Sequence, residues 1–266
     1  MWNRFFVPVA CLLASLLLIG GLAGCGGDRT DPSAPSSDAP ASEATVAATL
    51  PDSVNTLSDA ERQTGWTLLF DGQSMDNWRG FQMDAMPDDW IIENGAMHFT
   101  GADDEAPDDI ITKDTYGSFD LRLEWRIAEA GNSGVMFHVR EDDFEWPWQT
   151  GPEMQVLDNE GHPNGEDPKT SAGANYALHA PAKDATKPVG EWNEARLVVD
   201  GTRVTHSLNG TTLVEYTLGS DDWQALVDNT KFADMPGYAQ FDTGHIALQD
   251  HDDPVWFRDI KIRRLD

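Results

Sequence analysis

Near the middle of the chain the sequence reads Gly151-Pro152-Glu153-Met154-Gln155-Val156-Leu157-Asp158. Because successive side chains of a β-strand point to opposite faces of a sheet, Met154 and Val156 are predicted to enter a core. Glu153 and Gln155 then project together from the other face. The alternation therefore predicts a short strand whose polar side places an acid and an amide on one surface.

Two other segments, residues 120–126 and 244–251, show the same alternation. Their predicted inward side chains are Leu121, Leu123, Trp125, Ile246 and Leu248. Their predicted outward side chains are Arg122, Glu124, Arg126, His245, Gln249 and His251. If the three strands are neighbours, their polar sides form one floor, and we expect the active site to lie on that floor.

Turn signals between short apolar runs occur throughout the rest of the chain. Asn94-Gly95, Asp200-Gly201 and Asn209-Gly210 each stand between two such runs, which is the strongest short-range sign of a β-hairpin. Helical periodicity is nearly absent, and only Asp221–Val227 is predicted to form a short helix or turn. The pattern predicts an all-β fold, a two-sheet jelly-roll sandwich.

The first 25 residues are typical of a bacterial lipoprotein signal. Arg4 is followed by an apolar run over residues 5–19 and then by Leu22-Ala23-Gly24-Cys25. The apolar run is shorter than the roughly 20 residues that a membrane-spanning helix needs. We expect residues 1–24 to be removed and Cys25 to carry lipid, so that the protein is anchored to the cell envelope at the outer membrane or the periplasmic face.

Composition divides the remaining chain into a tether and a domain. Residues 25–64 are rich in Ser, Ala, Pro, Thr and Asp, which predicts a flexible tether, and residues 65–266 are long enough for one folded domain. The formal net charge of −28 disfavours nucleic acid as a partner. We expect a monomer whose only membrane contact is the lipid.

The segment from Gly65 to Leu265 resembles the 3-keto-disaccharide hydrolase domain family. The similarity is carried by Leu69-Phe70-Asp71-Gly72, Leu123-Glu124-Trp125-Arg126, Asn132-Ser133-Gly134, Gly151 to Asp158, Pro188-Val189-Gly190-Glu191-Trp192-Asn193 and Gly244 to His251. The resemblance implies a concanavalin A-like sandwich and hydrolysis of glycosides that are already oxidised to a ketone at carbon 3. The sequence departs from the family at His138 and in the loops 102–109 and 159–173.

Such a ketone acidifies the proton on carbon 2, so a base can remove it and the group on carbon 1 can leave by elimination before water adds. That route needs a base, an acid for the leaving oxygen, and a donor or cation for the enolate oxygen. We predict catalytic roles for Glu153, Asp158 and His251. The predicted substrate contacts are Glu124, Arg126, Asn132, Trp148, Gln155 and Gln249.

Several of these residues also have a plain structural interpretation. Glu124 and Arg126 could be an exposed pair, and Trp146 and Trp148 could pack on the core instead of forming a sugar platform. His179 and His245 are secondary candidates. These residue types are compatible with a divalent cation, but no spacing is diagnostic of a metal site, so no metal ligand is assigned.

Two other functions fit the same fold. A tethered carbohydrate-binding module would need aromatic and amide side chains but no base. A glycosidase acting on unoxidised glycans would need two nearby carboxylates, about 5 Å apart in a retaining enzyme. Five residues of regular strand separate Glu153 from Asp158 by roughly 16 Å, which disfavours that pairing unless a bulge intervenes.

Overall fold

Two antiparallel β-sheets pack face to face in the part of the chain that the computed structural model describes, residues 53–101 and 108–266. The predicted signal peptide, Cys25 and residues 25–52 of the predicted tether lie outside the described residues. The strands are β1 Trp66–Leu68, β2 Trp78–Gly80, β3 Trp90–Glu93, β4 Ala96–Phe99, β5 Ile110–Thr112, β6 Phe119–Ile127, β7 Asn132–Val139, β8 Glu153–Leu157, β9 Asn193–Asp200, β10 Arg203–Leu208, β11 Thr211–Thr217, β12 His245–Leu248 and β13 Val255–Arg264.

Helical structure in the described residues is short. It comprises α1 Asp59–Gln63, α2 Asp221–Val227, and 3-10 turns at Pro147–Gln149, Pro163–Glu166, Pro168–Thr170 and Lys231–Asp234. The prediction of a helix over 221–227 is confirmed. Neither described helix has the length and apolar character required to cross a bilayer.

The large sheet has eight strands in the order β11-β10-β9-β6-β13-β4-β3, with β1 also paired to β13, and the small sheet has the order β2-β5-β12-β7-β8. Hairpins join β3 to β4 and β10 to β11. In both turns the Asn-Gly pair has positive φ angles, 49° and 72° at Asn94-Gly95 and 49° and 74° at Asn209-Gly210. Positive φ at both turn residues matches the twist of the flanking strands. The all-β jelly-roll sandwich predicted from the sequence is confirmed.

The core lies between the sheets and contains the apolar side chains that the alternation assigned to it. Met154 and Val156 from β8, Trp125 from β6, and Ile246 and Leu248 from β12 are all at most 2 % exposed. The predicted phase of all three strands is therefore confirmed.

The expectation of one shared polar floor is wrong. β8 and β12 belong to the small sheet, whereas β6 lies in the large sheet between β9 and β13. Because both sheets of a sandwich turn their apolar sides toward the same core, their polar sides face in opposite directions. Alternation determines which side of a strand is buried, but it does not determine to which sheet the strand belongs.

Two smaller expectations also differ from the structure. Asn132-Ser133-Gly134 has the composition of a turn, and a turn is therefore the first expectation for it, but this segment begins β7 and the turn lies just before it, with Ala130 at φ 56°. Residues 53–64, assigned to the tether, pack on the sandwich. Asn55 is 6 % exposed, and its Nδ2 donates to the carbonyl of Gly95 at 2.8 Å. The folded part therefore begins before Gly65.

Candidate active site

A cavity of about 210 Å³ opens on the outer face of the small sheet. It is lined by Asn132, Trp148, Glu153, Gln155, Tyr176, Lys231, Gln249 and His251. The cavity brings together six of the residues predicted from sequence, from β7, β8, the chain after β12 and the 3-10 turn at Pro147–Gln149. Tyr176 and Lys231 were not predicted, and both come from loops.

Although the cavity lies on an outer face, all five residues of β8 are buried. The chain after the long loop that begins at Asn159 runs alongside β8 and hydrogen-bonds to it. Gln155 donates its N–H to the carbonyl of Ala174 at 3.1 Å, and Tyr176 donates to the carbonyl of Glu153 at 3.1 Å. This added edge explains why polar side chains of β8 are removed from solvent, and it brings Tyr176 to the cavity.

Glu153 is a buried carboxylic acid, only 7 % exposed. No described residue donates a hydrogen bond to its carboxylate, and burial raises its pKa from 4.5 to about 7, against the opposing charge of Lys231. An acid with a pKa near neutrality can accept a proton in one step and return it in another. This property distinguishes Glu153 from an ordinary surface glutamate.

Gly134 of β7 provides the space that the Glu153 side chain occupies. A Cβ placed at Gly134 would lie 2.8 Å from Cδ of Glu153 and nearer still to Oε1, which is closer than non-bonded atoms approach. Any larger residue at this position would displace the carboxylate. Gly134 therefore determines where the acid is held.

Lys231 presents a cation to the same cavity. Its Nζ lies 5.1 Å from the ring centre of Trp148, 4.9 Å from that of Tyr176 and 5.4 Å from that of Phe232. Aromatic faces attract a cation and restrict its position. Burial lowers the pKa of Lys231, whereas the nearby charge of Glu153 raises it. The arrangement supplies a positive charge close to the acid.

Gln155 fixes the floor beside Glu153. Its Nε2 donates to Oδ1 of Asn132 and to the carbonyl of Thr170, each at 3.2 Å. Both partners are acceptors, so the amide orientation is determined, and Oε1 of Gln155 has no partner among the described residues. The cavity thus contains an acid, a cation, three amides and aromatic rings, and these are the groups that a carbohydrate enzyme needs.

A sequence model of the 3-keto-alpha-glucoside-1,2-lyase-like domain matches residues 65–263. The chain belongs to this family. A relative from Bacteroides thetaiotaomicron named "3-keto-disaccharide hydrolase" is 32 % identical over 99 % of this chain and 100 % of its own length. The family assignment made from the sequence motifs is confirmed.

Two solved structures are similar to this chain over most of its length. A crystal structure of a "putative glycosyl hydrolase" from Parabacteroides distasonis is 32 % identical, with a TM-score of 0.75 over 80 % of this chain and 100 % of that chain. A second crystal structure so described, from the same organism, is 28 % identical, with a TM-score of 0.57 over 75 % of this chain and 99 % of that chain.

His251 lines the cavity, and acids lie on both sides of it in the chain, at Asp250 and at Asp252-Asp253. The ring of His251 stands perpendicular to that of His162, with centres 6.3 Å apart. Asp253 accepts the N–H of Asn132 at 3.1 Å. Asp109, which the sequence analysis missed, is fully buried, and burial together with repulsion from Asp250 and Glu153 holds its pKa well above the usual range. Histidine and carboxyl groups therefore lie close together beside the cavity.

Asp158 does not join this group. The pairing of β7 with β8 runs from Asn132–Leu157 to Met136–Glu153 without a register shift, so no bulge shortens the path from Glu153. The Asp158 carboxylate instead accepts the N–H of Ala130 at 2.8 Å and that of Glu160 at 3.1 Å. The expectation that Asp158 shares the Glu153 site is wrong, because the strand is straight and the side chain stabilises turns.

Glu124 and Arg126 lie on the outer face of the large sheet, remote from the cavity. Glu124 pairs with Nε of Arg258 at 2.6 Å. The guanidinium of Arg126 sits 4.2 Å from the ring centre of Trp256 and 5.1 Å from that of Trp192. Their predicted place on the same floor as Glu153 is corrected, because β6 belongs to the other sheet.

The secondary candidates also lie outside the cavity. Nδ1 of His245 contacts the carbonyl of Thr112 at 2.6 Å, and His179 stacks on Tyr216 with ring centres 5.0 Å apart. Trp146 is partly exposed and does not line the site, whereas Trp148 does. Across residues 53–101 and 108–266, no cluster of three or more His, Cys, Asp or Glu side chains is arranged to hold a metal ion.

Proposed function

We propose that this protein is an enzyme that hydrolyses 3-keto-glycosides in the cavity that contains Glu153. The observation that carries the proposal is a buried acid with a pKa of about 7 beside the cation of Lys231. The family and the name of the Bacteroides thetaiotaomicron relative support a substrate that is a sugar with a ketone at carbon 3.

Glu153 acts as the base in this mechanism. Its ionised carboxylate takes the proton from carbon 2, and the electrons of the C–H bond form an enolate whose negative oxygen is on carbon 3. Lys231 stabilises that oxygen, because a fixed cation gains strength in a site from which water is excluded. The enolate electrons then form the double bond between carbons 1 and 2 as the bond from carbon 1 to the leaving oxygen breaks.

His251, which lines the same cavity, protonates the leaving oxygen. Water next adds to the unsaturated ketone: its hydroxyl joins carbon 1, the proton that the water loses restores His251, and Glu153 returns its proton to carbon 2. The sum is hydrolysis of one glycosidic bond, with Glu153 regenerated. Gln155, Asn132 and Gln249 bind sugar hydroxyls, and Trp148 packs on a sugar face.

The alternatives fit the cavity less well. Among the described residues that line it, Glu153 is the only carboxylic acid, so a second carboxylate for hydrolysis of unoxidised glycans is absent from the lining. A binding module gains nothing from a desolvated acid without a hydrogen-bond donor, which only destabilises the fold. An acid and a cation in one cavity favour turnover.

The direct test offers the purified protein p-nitrophenyl 3-keto-glucoside and its unoxidised parent. We expect release of nitrophenol from the keto substrate alone, and a slower reaction when carbon 2 carries deuterium.

Lys231→Met should lower kcat/KM about tenfold or more, because the enolate loses its cation. It should also move the ascending limb of the pH–rate profile to higher pH, since Lys231 favours the ionised form of Glu153.

Activity on the unoxidised parent, or binding of both sugars without turnover, would contradict the proposal. A Lys231→Met profile that keeps its midpoint would remove the coupling between Lys231 and the base. Arg258→Met, on the opposite sheet, is the matched control for loss of a cation.

We also propose that the protein acts at the cell envelope, anchored by lipid on Cys25. The sequence pattern before Cys25 supports this proposal. Intact-mass analysis of membrane-extracted protein should find a diacylglycerol modification on Cys25 in the wild type, and Cys25→Ala should be unmodified. A mature protein that lacks lipid would contradict it.

A further inference from the structure

Asp109 is a buried acid that the proposed mechanism does not use. It is 4 % exposed and directly precedes β5. Ile110 enters the core between the sheets, whereas Ile111 belongs to a smaller apolar cluster that packs with Trp148 on the outer side of the small sheet. Because strand side chains alternate, Asp109 points to the same side as Ile111. It therefore lies on the face that carries the Glu153 cavity.

The strand register places Asp109 close to this cavity. β12 and β5 are antiparallel neighbours, and their register, continued by one pair, sets Gln249 opposite Asp109. On its other side, Gln249 donates its N–H to the carbonyl of Gly134 at 2.9 Å. Neighbouring strands are about 4.8 Å apart, so Asp109 starts only two strands from that glycine. The three residues form one row across the sheet, and the Glu153 carboxylate lies over the last of them.

The Asp109 carboxyl holds the chain between two residues that line the cavity. Its Oδ1 accepts the N–H of Asp250 at 3.1 Å, and Asp250 lies between Gln249 and His251. Asp250 in turn accepts the N–H of Asp252 at 2.8 Å. The backbone on both sides of His251 is thus held by these two carboxyl groups.

His251 depends on this support because of its place in the chain. Its side chain is exposed, and the next residue, Asp252, has a φ of 65°, so the chain turns at this point. An exposed side chain on a turn has many accessible orientations. A general acid acts only within hydrogen-bond reach of the atom that it protonates. The direction of the His251 side chain is therefore set by how firmly its two neighbours are held.

The bond from Asp109 requires an acceptor and not a charge. Burial, together with repulsion from Asp250 and Glu153, raises the pKa of Asp109 well above its usual range. A protonated acid and an amide can both still accept a hydrogen bond from a backbone N–H. Asparagine is therefore the conservative replacement at this position.

We propose that Asp109 is a positioning residue for departure of the leaving group. It holds the backbone of Asp250 and thereby directs His251 toward the oxygen that leaves carbon 1. Asp109 is not among the residues that line the cavity, so it acts through His251. This role rests on the proposed function, in which His251 protonates that oxygen.

The test compares two substrates that differ only in the leaving group. The p-nitrophenolate ion leaves carbon 1 without a proton, whereas the methoxide of methyl 3-keto-glucoside is far more basic and needs one. In Asp109→Ala, kcat/KM for the methyl substrate should fall about tenfold or more, and that for the p-nitrophenyl substrate should stay within about threefold of the wild type. A role in stability alone would lower both by the same factor.

Two further variants identify the group through which Asp109 acts. Asp109→Asn should restore most of the activity on the methyl substrate, because the amide oxygen accepts the Asp250 N–H. His251→Ala should show the same selective loss as Asp109→Ala. The double variant should lose little more, since a positioning residue has no effect once the group it positions is gone.

Asp158→Ala is the matched control. Asp158 is also a buried acid that accepts backbone N–H groups, but it does not line the Glu153 cavity. Its loss should change the rates on both substrates by the same factor.

Equal losses on the two substrates in Asp109→Ala would overturn the inference. Additive losses in the double variant, or an Asp109→Asn variant as impaired as Asp109→Ala, would do the same. If Asp109→Ala does not fold, Asp109→Ser, whose side chain is one bond shorter than that of Asp, takes its place under the same criteria. A wild type that turns over neither keto substrate would instead contradict the proposed function.

Discussion

The outer faces of the two sheets carry similar residue types in opposite circumstances. On the large sheet, Asp120 is fully buried, and its two oxygens bind Nε and Nη2 of Arg196 at 2.8 and 2.9 Å and Nη2 of Arg263 at 3.1 Å. On the small sheet, Glu153 is also buried, but no described residue donates a hydrogen bond to its carboxylate, and Lys231 is the nearby cation. The buried carboxylate of the large sheet has hydrogen-bond donors on both oxygens, whereas the buried carboxylate of the small sheet has none among the described residues.

This difference separates stability from chemistry. A carboxylate with charged donors on both oxygens stabilises the fold. A carboxylate without donors costs stability but titrates where a catalyst needs it to titrate. The sequences of the two faces show the same alternation of charged residues. Whether an acid has a structural or a catalytic role therefore depends on its environment in the fold and not on its residue type.

The largest expected effect is the loss of turnover in Glu153→Gln. The amide keeps the shape of the side chain but cannot take a proton, so kcat should fall about 10²–10⁴-fold. Folding should be retained, because the change removes a buried charge. The matched variant is Glu124→Gln, on the outer face of the large sheet, which should keep kcat within about twofold by the same assay. Equal losses in both variants would erase the contrast between the faces.

The next effect is a dependence of stability on pH. The pKa of Glu153 is raised from 4.5 to about 7 on folding, so between these values the folded state binds more protons than the unfolded state and stability falls as pH rises. The full displacement corresponds to about 3 kcal/mol above pH 7. Urea unfolding from pH 4.5 to 8 should reveal this slope in the wild type, and a smaller slope in Glu153→Gln. Identical slopes would show that Glu153 is not the group responsible.

Removal of the paired acid on the other face should act on stability alone. Asp120→Asn keeps one acceptor but loses the charge that binds Arg196 and Arg263, so the free energy of unfolding should fall by about 1–3 kcal/mol. Turnover of the folded variant should remain that of the wild type. A variant with full stability and reduced turnover would reverse the roles assigned to the two faces.

The smallest expected effect concerns the position of the acid. Gly134→Ala should displace the Glu153 carboxylate, because the new Cβ would lie 2.8 Å from its Cδ. We expect a loss of about tenfold in kcat/KM with little change in melting temperature. Gly117→Ala, at a glycine that like Gly134 lacks a positive φ and where the new Cβ would meet the end of the Asp266 side chain, is the control for adding a methyl group. A Gly134→Ala variant with full activity would mean that the carboxylate has room to move.

Much of the fold could be predicted from local pattern. The phase of β8 and β12 follows from alternation, and the hairpin turns follow from Asn-Gly pairs, because both depend on neighbours in sequence. The sheet to which a strand belongs depends on contacts between residues distant in sequence. Alternation alone therefore places β6 beside β8 and β12, although β6 lies in the other sheet. Glu124 and Arg126 were misplaced with it.

The cavity residues that lie on or next to strands could be predicted from the sequence, whereas those contributed by loops could not. Glu153, Gln155, Gln249 and His251 lie on or directly after strands of the small sheet. Lys231 follows α2 with no periodic pattern around it, and Tyr176 reaches the cavity only because residues 173–176 hydrogen-bond along β8. Asp109 precedes β5 in an acidic segment where nothing in the sequence marks one acid as buried. Their positions depend on tertiary contacts that no short motif records.

The packed segment before β1 has a mechanical consequence. Asn55 donates its N–H to Asp259 at 3.0 Å and accepts the N–H of Asp259 at 2.7 Å, while Glu61 pairs with Lys261 at 3.1 Å. Asp259 and Lys261 belong to β13, which lies inside the large sheet between β6 and β4. A pull on the chain upstream of residue 53 would therefore reach an interior strand and spread over its neighbours, so β1 would not peel away alone. The Glu153 cavity lies on the opposite sheet, which would not carry such a force directly.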